Sequence, residues 1–412
     1  MQNLLIDISR PLSRLLEGRL PTGVDRVCLA YVRHYRTHAR ALIFFRKKVW
    51  VFPRSVSLKL FDLLLHPPSR SGARLLRIIL LQGATAWFPR RLRGALLLNL
   101  GHSNLDQPAY LDAIRQREFR FIYFVHDLIP VTHPEYCRPG QRLRHAKRIR
   151  QALSVASGII VNSKATLADL AAFAVSEQLR VPPSACALLA PEPPPKPSAS
   201  PLWKEPYFVM VGTLEPRKNY ALILQIWQRL VGLLGSQTPR LVLIGQRGWE
   251  CENIVDLLER APALQGVVLE MPECSDSEMA TLLHHSRALL FPSFVEGYGL
   301  PLAEALSAGV PVIASDLAVF REFAGEIPDY IDPLDGLGWM RAILDFVAPD
   351  SPRRAAQCVR LRSFAAPTWD AHFESVENLL EELGHVPLRG SHLVVEKRLQ
   401  GGEGSAEPRE FF

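Results

Sequence analysis

Short apolar runs recur along this chain with room for one helix between them, and that spacing decides the class of fold. In the second half they fall at residues 207–211, 241–244, 267–269, 288–291 and 310–314, with amphipathic spans such as 221–234 and 277–285 between them. Parallel strands need a crossover of a dozen or more residues, whereas hairpins need only a few. Strands about 10–15 residues apart therefore predict right-handed β-α-β units and a parallel sheet. The first half repeats the pattern at 4–8, 95–100, 119–125 and 159–163, and residues 42–45 and 49–52 predict one hairpin across Arg46-Lys47-Lys48.

With 412 residues, the chain exceeds what one apolar core organises, so two domains of about 150–200 residues are expected. The boundary is written in proline: PEPPPKPSASP, residues 191–201, is a stiff segment with few N–H donors. This gives an N-terminal domain over 1–190, a linker over 191–203 and a C-terminal domain over 204–368. A terminal helix over 369–385 and a flexible tail over 386–412 complete the expected plan.

A net charge of +7 suits acidic partners such as nucleoside diphosphates or anionic headgroups. The basic residues form no nucleic-acid recognition motif, so no such partner is expected. Six cysteines, at 28, 137, 186, 251, 274 and 358, include no C-x-x-C pair and read as reduced thiols of a cytoplasmic protein. Met1 leads directly into the first strand without a basic leader, so export is not expected. The most apolar stretch, 75–88, falls short of the about 20 residues a spanning helix needs. It is flanked by Arg70, Arg74, Arg77, Arg90, Arg91 and Arg93, with Trp87 and Phe88 at one end. That arrangement predicts a helix lying on the anionic inner-membrane surface, although a packed helix with solvated arginines has the same pattern.

Residues 291–315, FPSFVEGYGLPLAEALSAGVPVIAS, concentrate the polar chemistry. A loop holding Glu296, Gly297 and Gly299 enters a helix with Pro301 at its first position; Gly309 ends the helix before a buried strand. N–H groups at such a helix start suit a phosphate or a sugar oxygen. Glu296 and Glu304, eight residues apart, could hold two ends of one polar ligand. After the strand at 207–211, Gly212 allows close backbone approach, and Arg217 and Lys218 offer a fork and a point charge to a diphosphate. His102 and His126 each follow the carboxyl end of a strand, the edge where open parallel sheets bind ligands. Thr22 and Gly23 close a loop before a helix and offer N–H groups to the cleft, or simply cap that helix.

The string EGYGLPLAEA, followed by AGVPVIAS, resembles the E-x7-E signature of the large fourth family of retaining GT-B glycosyltransferases. The resemblance is strong over 206–335, moderate over 119–170 and weak before that. It implies an α/β, GT-B fold: two Rossmann-like domains with parallel sheets facing a central cleft. FIYFVHDLIPVTHPEY resembles the family's N-terminal domain, which makes His126 the residue facing the transferred sugar and Asp127 the group fixing its tautomer. GTLEPRKN resembles the diphosphate loop, usually G-R with a lysine five residues after the arginine. Lys218 matches that lysine, Thr213 stands where arginine is usual, and Arg217 is the substitute cation.

By this carry-over Glu296 and His126 are catalytic. Gly212, Thr213, Arg217, Lys218, Gly297, Tyr298, Gly299, Leu300 and Glu304 bind the donor, with Glu304 on the ribose. Thr22, Gly23 and His102 lie on the acceptor side, where the family's usual double glycine is missing. The implied reaction moves a sugar, with retention, from a nucleotide-diphosphate sugar to a glycan or lipid-linked glycan acceptor. The donor is a GDP- or UDP-sugar, GDP-mannose being a guess. No cofactor is implied, and no D-x-D-like pair stands ready for a metal ion. A nucleotide-sugar epimerase of the same fold and a non-catalytic nucleotide-sugar-binding subunit are the alternatives.

Overall fold

The computed structural model describes residues 3–19, 21–67 and 92–385. The arginine-flanked stretch before Leu92 and the segment after residue 385 lie outside the described residues, and the membrane-surface expectation rests on the former. Among the described residues no helix is long and apolar enough to cross a membrane.

Two sheets form. The first contains β1 (Leu4–Asp7), β2 (Ala39–Phe45), β3 (Lys48–Val51), β4 (Leu96–Asn99), β5 (Arg120–Val125), β6 (Ala156–Val161) and β7 (Ser184–Cys186). Their order is β3-β2-β1-β4-β5-β6-β7, parallel throughout except for the β2–β3 pair. That hairpin turns on Arg46 and Lys47, both left-handed at φ 49° and 60°, the geometry that matches strand twist in a two-residue turn. The second sheet contains β8 (Tyr207–Val211), β9 (Arg240–Ile244), β10 (Val268–Met271), β11 (Leu289–Phe291), β12 (Val312–Ser315) and β13 (Asp329–Ile331). Its order is β10-β9-β8-β11-β12-β13, all parallel.

Strands such as Leu4-Leu5-Ile6 and Val312-Ile313-Ala314 are buried at every residue, as helices on both faces require, so they read as apolar runs rather than alternations. In each sheet the chain order reverses once, between β1 and β4 in the first and between β8 and β11 in the second. Strand-end loops diverge at such a point and leave a crevice.

One apolar cluster joins the halves, running from Tyr31 and Phe124 to Phe291, Leu302 and Phe320, and on to Phe373 and Leu383. Phe373 and Leu383 belong to the helix Trp369–His385, which lies back on the first sheet. His34 stacks on Phe373 at 3.7 Å, Tyr31 Oη meets His372 Nε2 at 2.8 Å, and a Cβ on Gly158 would sit 2.6 Å from Leu383.

Candidate active site

The loops after β8 and β11 meet at the second sheet's crevice. A Cβ on Gly212 (φ 142°) would press against Lys218 Cε at 3.3 Å, so glycine gives the lysine its space. A 3-10 turn, Pro216–Lys218, ends at Asn219 in the left-handed region (φ 56°) and points Arg217 and Lys218 toward the loop after β11. The loops are pinned together where the Phe294 N–H donates to the Arg217 carbonyl at 2.9 Å.

Arg217 and Lys218 converge on Glu296. Lys218 Nζ lies 2.5 Å from Oε1 and Arg217 Nη1 lies 2.6 Å from Oε2, while Ser293 Oγ donates to Oε1 at 2.8 Å. Arg217 also pairs with buried Glu215 at 2.5 Å, and Lys218 sits 4.6 Å from the centroid of the Phe291 ring. Burial penalises the Glu296 charge most, yet Arg217 and Lys218 outweigh it and hold the carboxyl down to about 2. Burial likewise opposes charge on both cations, but Glu296 and Glu215 raise Arg217, whereas Lys218 stays lowered. Arg217 is therefore the firmer cation. Thr213 is exposed at the rim.

The helix Leu300–Ser307 starts beside this cluster, with Gly299 left-handed at its N-cap (φ 103°). Pro301 takes its second position rather than the first, because Leu300 already has helical geometry. Gly309 is left-handed (φ 74°) just past the helix end. Tyr298 turns away from the crevice, donating from Oη to the Leu189 carbonyl at 2.6 Å and stacking on Phe323.

Glu304, one turn into the helix, accepts from Arg26 Nη1 of the first domain at 2.7 Å. Burial raises its pKa by more than Arg26 lowers it. Gly23 lies close by, where a Cβ would be 3.6 Å from Leu300 Cδ1. Thr22 is committed to a capping box: its N–H and Oγ1 both donate to Asp25, at 2.8 and 2.6 Å. Its N–H therefore does not face the cleft.

From the other side of the cleft, the end of β5 touches the Gly297 loop directly. A Cβ on Gly297 would be 2.6 Å from the His126 carbonyl oxygen and 2.8 Å from Asp127 Cβ, so only glycine fits. His126 is buried and pushed down to about 4 by desolvation. Its Nε2 donates to the Leu100 carbonyl at 2.7 Å, and this contact sets the tautomer. The assignment of that role to Asp127 is thereby corrected, since the Asp127 carboxylate caps the Ile129 N–H at 3.1 Å instead. His102 accepts the His126 backbone N–H on Nε2 at 3.1 Å, and burial keeps its ring neutral.

Glu296, Arg217, Lys218, Gly212, Gly297, Gly299 and Leu300 thus gather at one crevice, and His126 backs it, while the Tyr298 side chain does not join them. Three further members carried no signal of their own: Glu215 inside the GTLEPRKN run, Ser293, and Arg26, which lies far from Glu304 in sequence.

Residues 196–326 match the family model described as glycosyl transferases group 1. Over that stretch the second half of the chain is similar to glycosyltransferase group 1 domains. Relatives of this glycosyltransferase-like chain include the O-antigen chain mannosyltransferase B of Escherichia coli, 34% identical over 164 residues, or 40% of this chain and 42% of that protein. The serotype-specific mannosyltransferase WbdA of the same organism is 29% identical over 245 residues, 52% of this chain and 28% of that one. The chain therefore spans less than half the length of either. Among solved structures, Anabaena Alr3699/HepE in complex with UDP and glucose superposes with a TM-score of 0.65 at 16% identity, over 94% of this chain and 100% of that one. The sucrose-phosphate synthase of Thermosynechococcus elongatus follows at 0.55 and 17%, over 78% and 81%. The fold is GT-B.

Proposed function

We propose that this protein is a retaining hexosyltransferase that moves a sugar from a nucleotide-diphosphate sugar to a glycan or lipid-linked glycan in cell-surface polysaccharide synthesis. The observation that carries this reading is the convergence of Arg217 and Lys218 on Glu296 at the second sheet's crevice. A diphosphate entering there gives both cations a second anion, and frees lone pairs of Glu296 for hydroxyls of the donor sugar. As the diphosphate leaves, negative charge grows on its oxygens. Fixed cations and the helix start at Leu300 stabilise that charge without reorganising, so the proposal calls for no metal ion. Glu304 exchanges Arg26 for the ribose hydroxyls, and His126 lines the sugar's side of the cleft. The mannosyltransferase relatives favour a mannose donor, and GDP-mannose is the first to try.

Thermal melting of the full chain with GDP-, UDP- and ADP-sugars tests the donor side. One nucleotide is expected to raise Tm. Glu304→Ala should keep the fold and lose about 1.5–3 kcal/mol of affinity for it, the worth of charged hydrogen bonds. Unchanged affinity in that variant would remove Glu304 from the site.

A further inference from the structure

The first sheet has a crevice of its own, between the ends of β1 and β4, and it opens into a cavity of about 890 Å³. We propose that this cavity is a second anion site, taking the phosphate or diphosphate group of an amphiphilic acceptor whose apolar chain lies along its wall. Calling that ligand the acceptor rests on the transfer reading above; the binding itself does not.

Its lining is strongly basic: Arg10, Arg14, Arg19, Arg46, Arg144 and Arg148. Two of the acidic groups that meet them are shared. Asp25 serves Arg10 and Arg14 at 2.9 and 2.8 Å, Asp106 serves Arg144 and Arg148 at 3.2 and 3.5 Å, and Glu17 serves Arg19 at 3.0 Å. Among the described residues, six guanidiniums against three carboxylates leave positive charge and fork donors in surplus, which suits a multiply charged oxyanion.

Part of the wall is apolar, with Phe44 and Trp50 inside, and Leu16 and Phe45 at 49% and 59% exposure. Arg46 lies 5.4 Å from the centroid of the Phe45 ring, so charge and apolar surface adjoin. A bare anion leaves that surface wet, whereas an anion carrying a hydrocarbon chain covers it.

At the floor, His102 and Asn104 both have left-handed backbones (φ 55° and 64°). Such strain persists where surroundings over-determine it. Here Asn99 holds the loop by donating to the Ser103 carbonyl at 3.0 Å, and Tyr110 in turn donates to buried Asp7 at 2.6 Å. The His102 ring lies 5.1 Å from that of His126, whose carbonyl abuts Gly297. A ligand anchored by its anion in the cavity is thereby directed toward the donor loop.

Calorimetric titration of the full chain with farnesyl diphosphate, farnesol and inorganic pyrophosphate tests the site. Farnesyl diphosphate is expected to bind more tightly than either of the others. Arg46→Asn with Arg144→Gln should weaken it about tenfold or more, whereas Lys218→Ala, in the other crevice, should not. Both arginines are at the surface, and a wild-type melting temperature shows that the double variant is folded. Should that variant unfold, Phe45→Ser provides the same test by bringing farnesyl diphosphate down toward pyrophosphate. Pyrophosphate binding as tightly as farnesyl diphosphate would overturn the amphiphile assignment. Equal binding of farnesol, loss through Lys218→Ala alone, or no binding would overturn the site. A chain that binds farnesyl diphosphate yet transfers no sugar would keep this site and lose the proposed function.

Discussion

Glu296 balances the charge of Arg217 and Lys218, and these two partners are not equivalent. Arg217 bridges Glu296 and Glu215, while among the described residues Lys218 forms its ion pair with Glu296. Arg217→Ala leaves Glu215 without its ion pair and Glu296 with only Lys218. Breaking a buried pair from one side costs about 3–5 kcal/mol, and Arg217→Ala is expected to lose stability in that range. Lys218→Ala should lose less, because Arg217 still neutralises Glu296, yet it should reduce turnover more, because Lys218 holds the position matched to the family's lysine. Urea unfolding and initial rates on the two variants measure the split. A larger loss of turnover in Arg217→Ala at equal folded fraction would reverse the assignment of the principal cation. Of these residues, Arg217, Lys218 and Glu296 were legible as motif letters. Their sharing of one carboxylate was not, because a loop's side-chain directions depend on the φ of residues such as Asn219 rather than on any periodicity.

At the level of elements, the strand ends carry a titration. His102 follows β4 and His126 follows β5, with His145 on a neighbouring helix and His372 on the terminal helix, and burial holds all four below the ordinary histidine range. His126 and His372 are each pushed to about 4. The unfolded chain then binds more protons below about 6.5. Their stabilisation is complete above that pH and is lost as pH falls from about 6.5 toward 4. By that linkage His126 and His372 each lose roughly 2 kcal/mol between pH 7 and pH 5. Glu296 acts lower, its contribution vanishing only between about 4.5 and 2. Urea unfolding at pH 7 and pH 5 is expected to show a drop of several kcal/mol. Equal stability at the two values would mean that these rings are hydrated or already charged. The strands themselves were legible because parallel strands buried on both faces must be apolar runs. The hairpin turn was legible only in outline, since Arg46 and Lys47 adopt left-handed backbones that favour glycine or asparagine.

For the whole molecule, two sheets each reverse strand order once, and each reversal opens a crevice beside cationic side chains. The alternation of strands and helices foretold parallel sheets, but strand order is set by which crossover passes over which, and no local pattern records it. The contacts that join the halves, Arg26 with Glu304 and Gly297 against His126, were equally invisible, since each unites residues more than a hundred apart. Reading one crevice as the donor site and the other as the acceptor site makes sugar transfer the central proposal. The direct test incubates the full chain with the nucleotide sugar that stabilises it and a lipid extract as acceptor, and reads the product's anomeric proton by NMR. The expected result is release of one nucleoside diphosphate per sugar transferred, a product with the donor's anomeric configuration, and loss of both on Lys218→Ala. An inverted product, an altered nucleotide sugar formed without any acceptor, or activity indifferent to Lys218→Ala would contradict it.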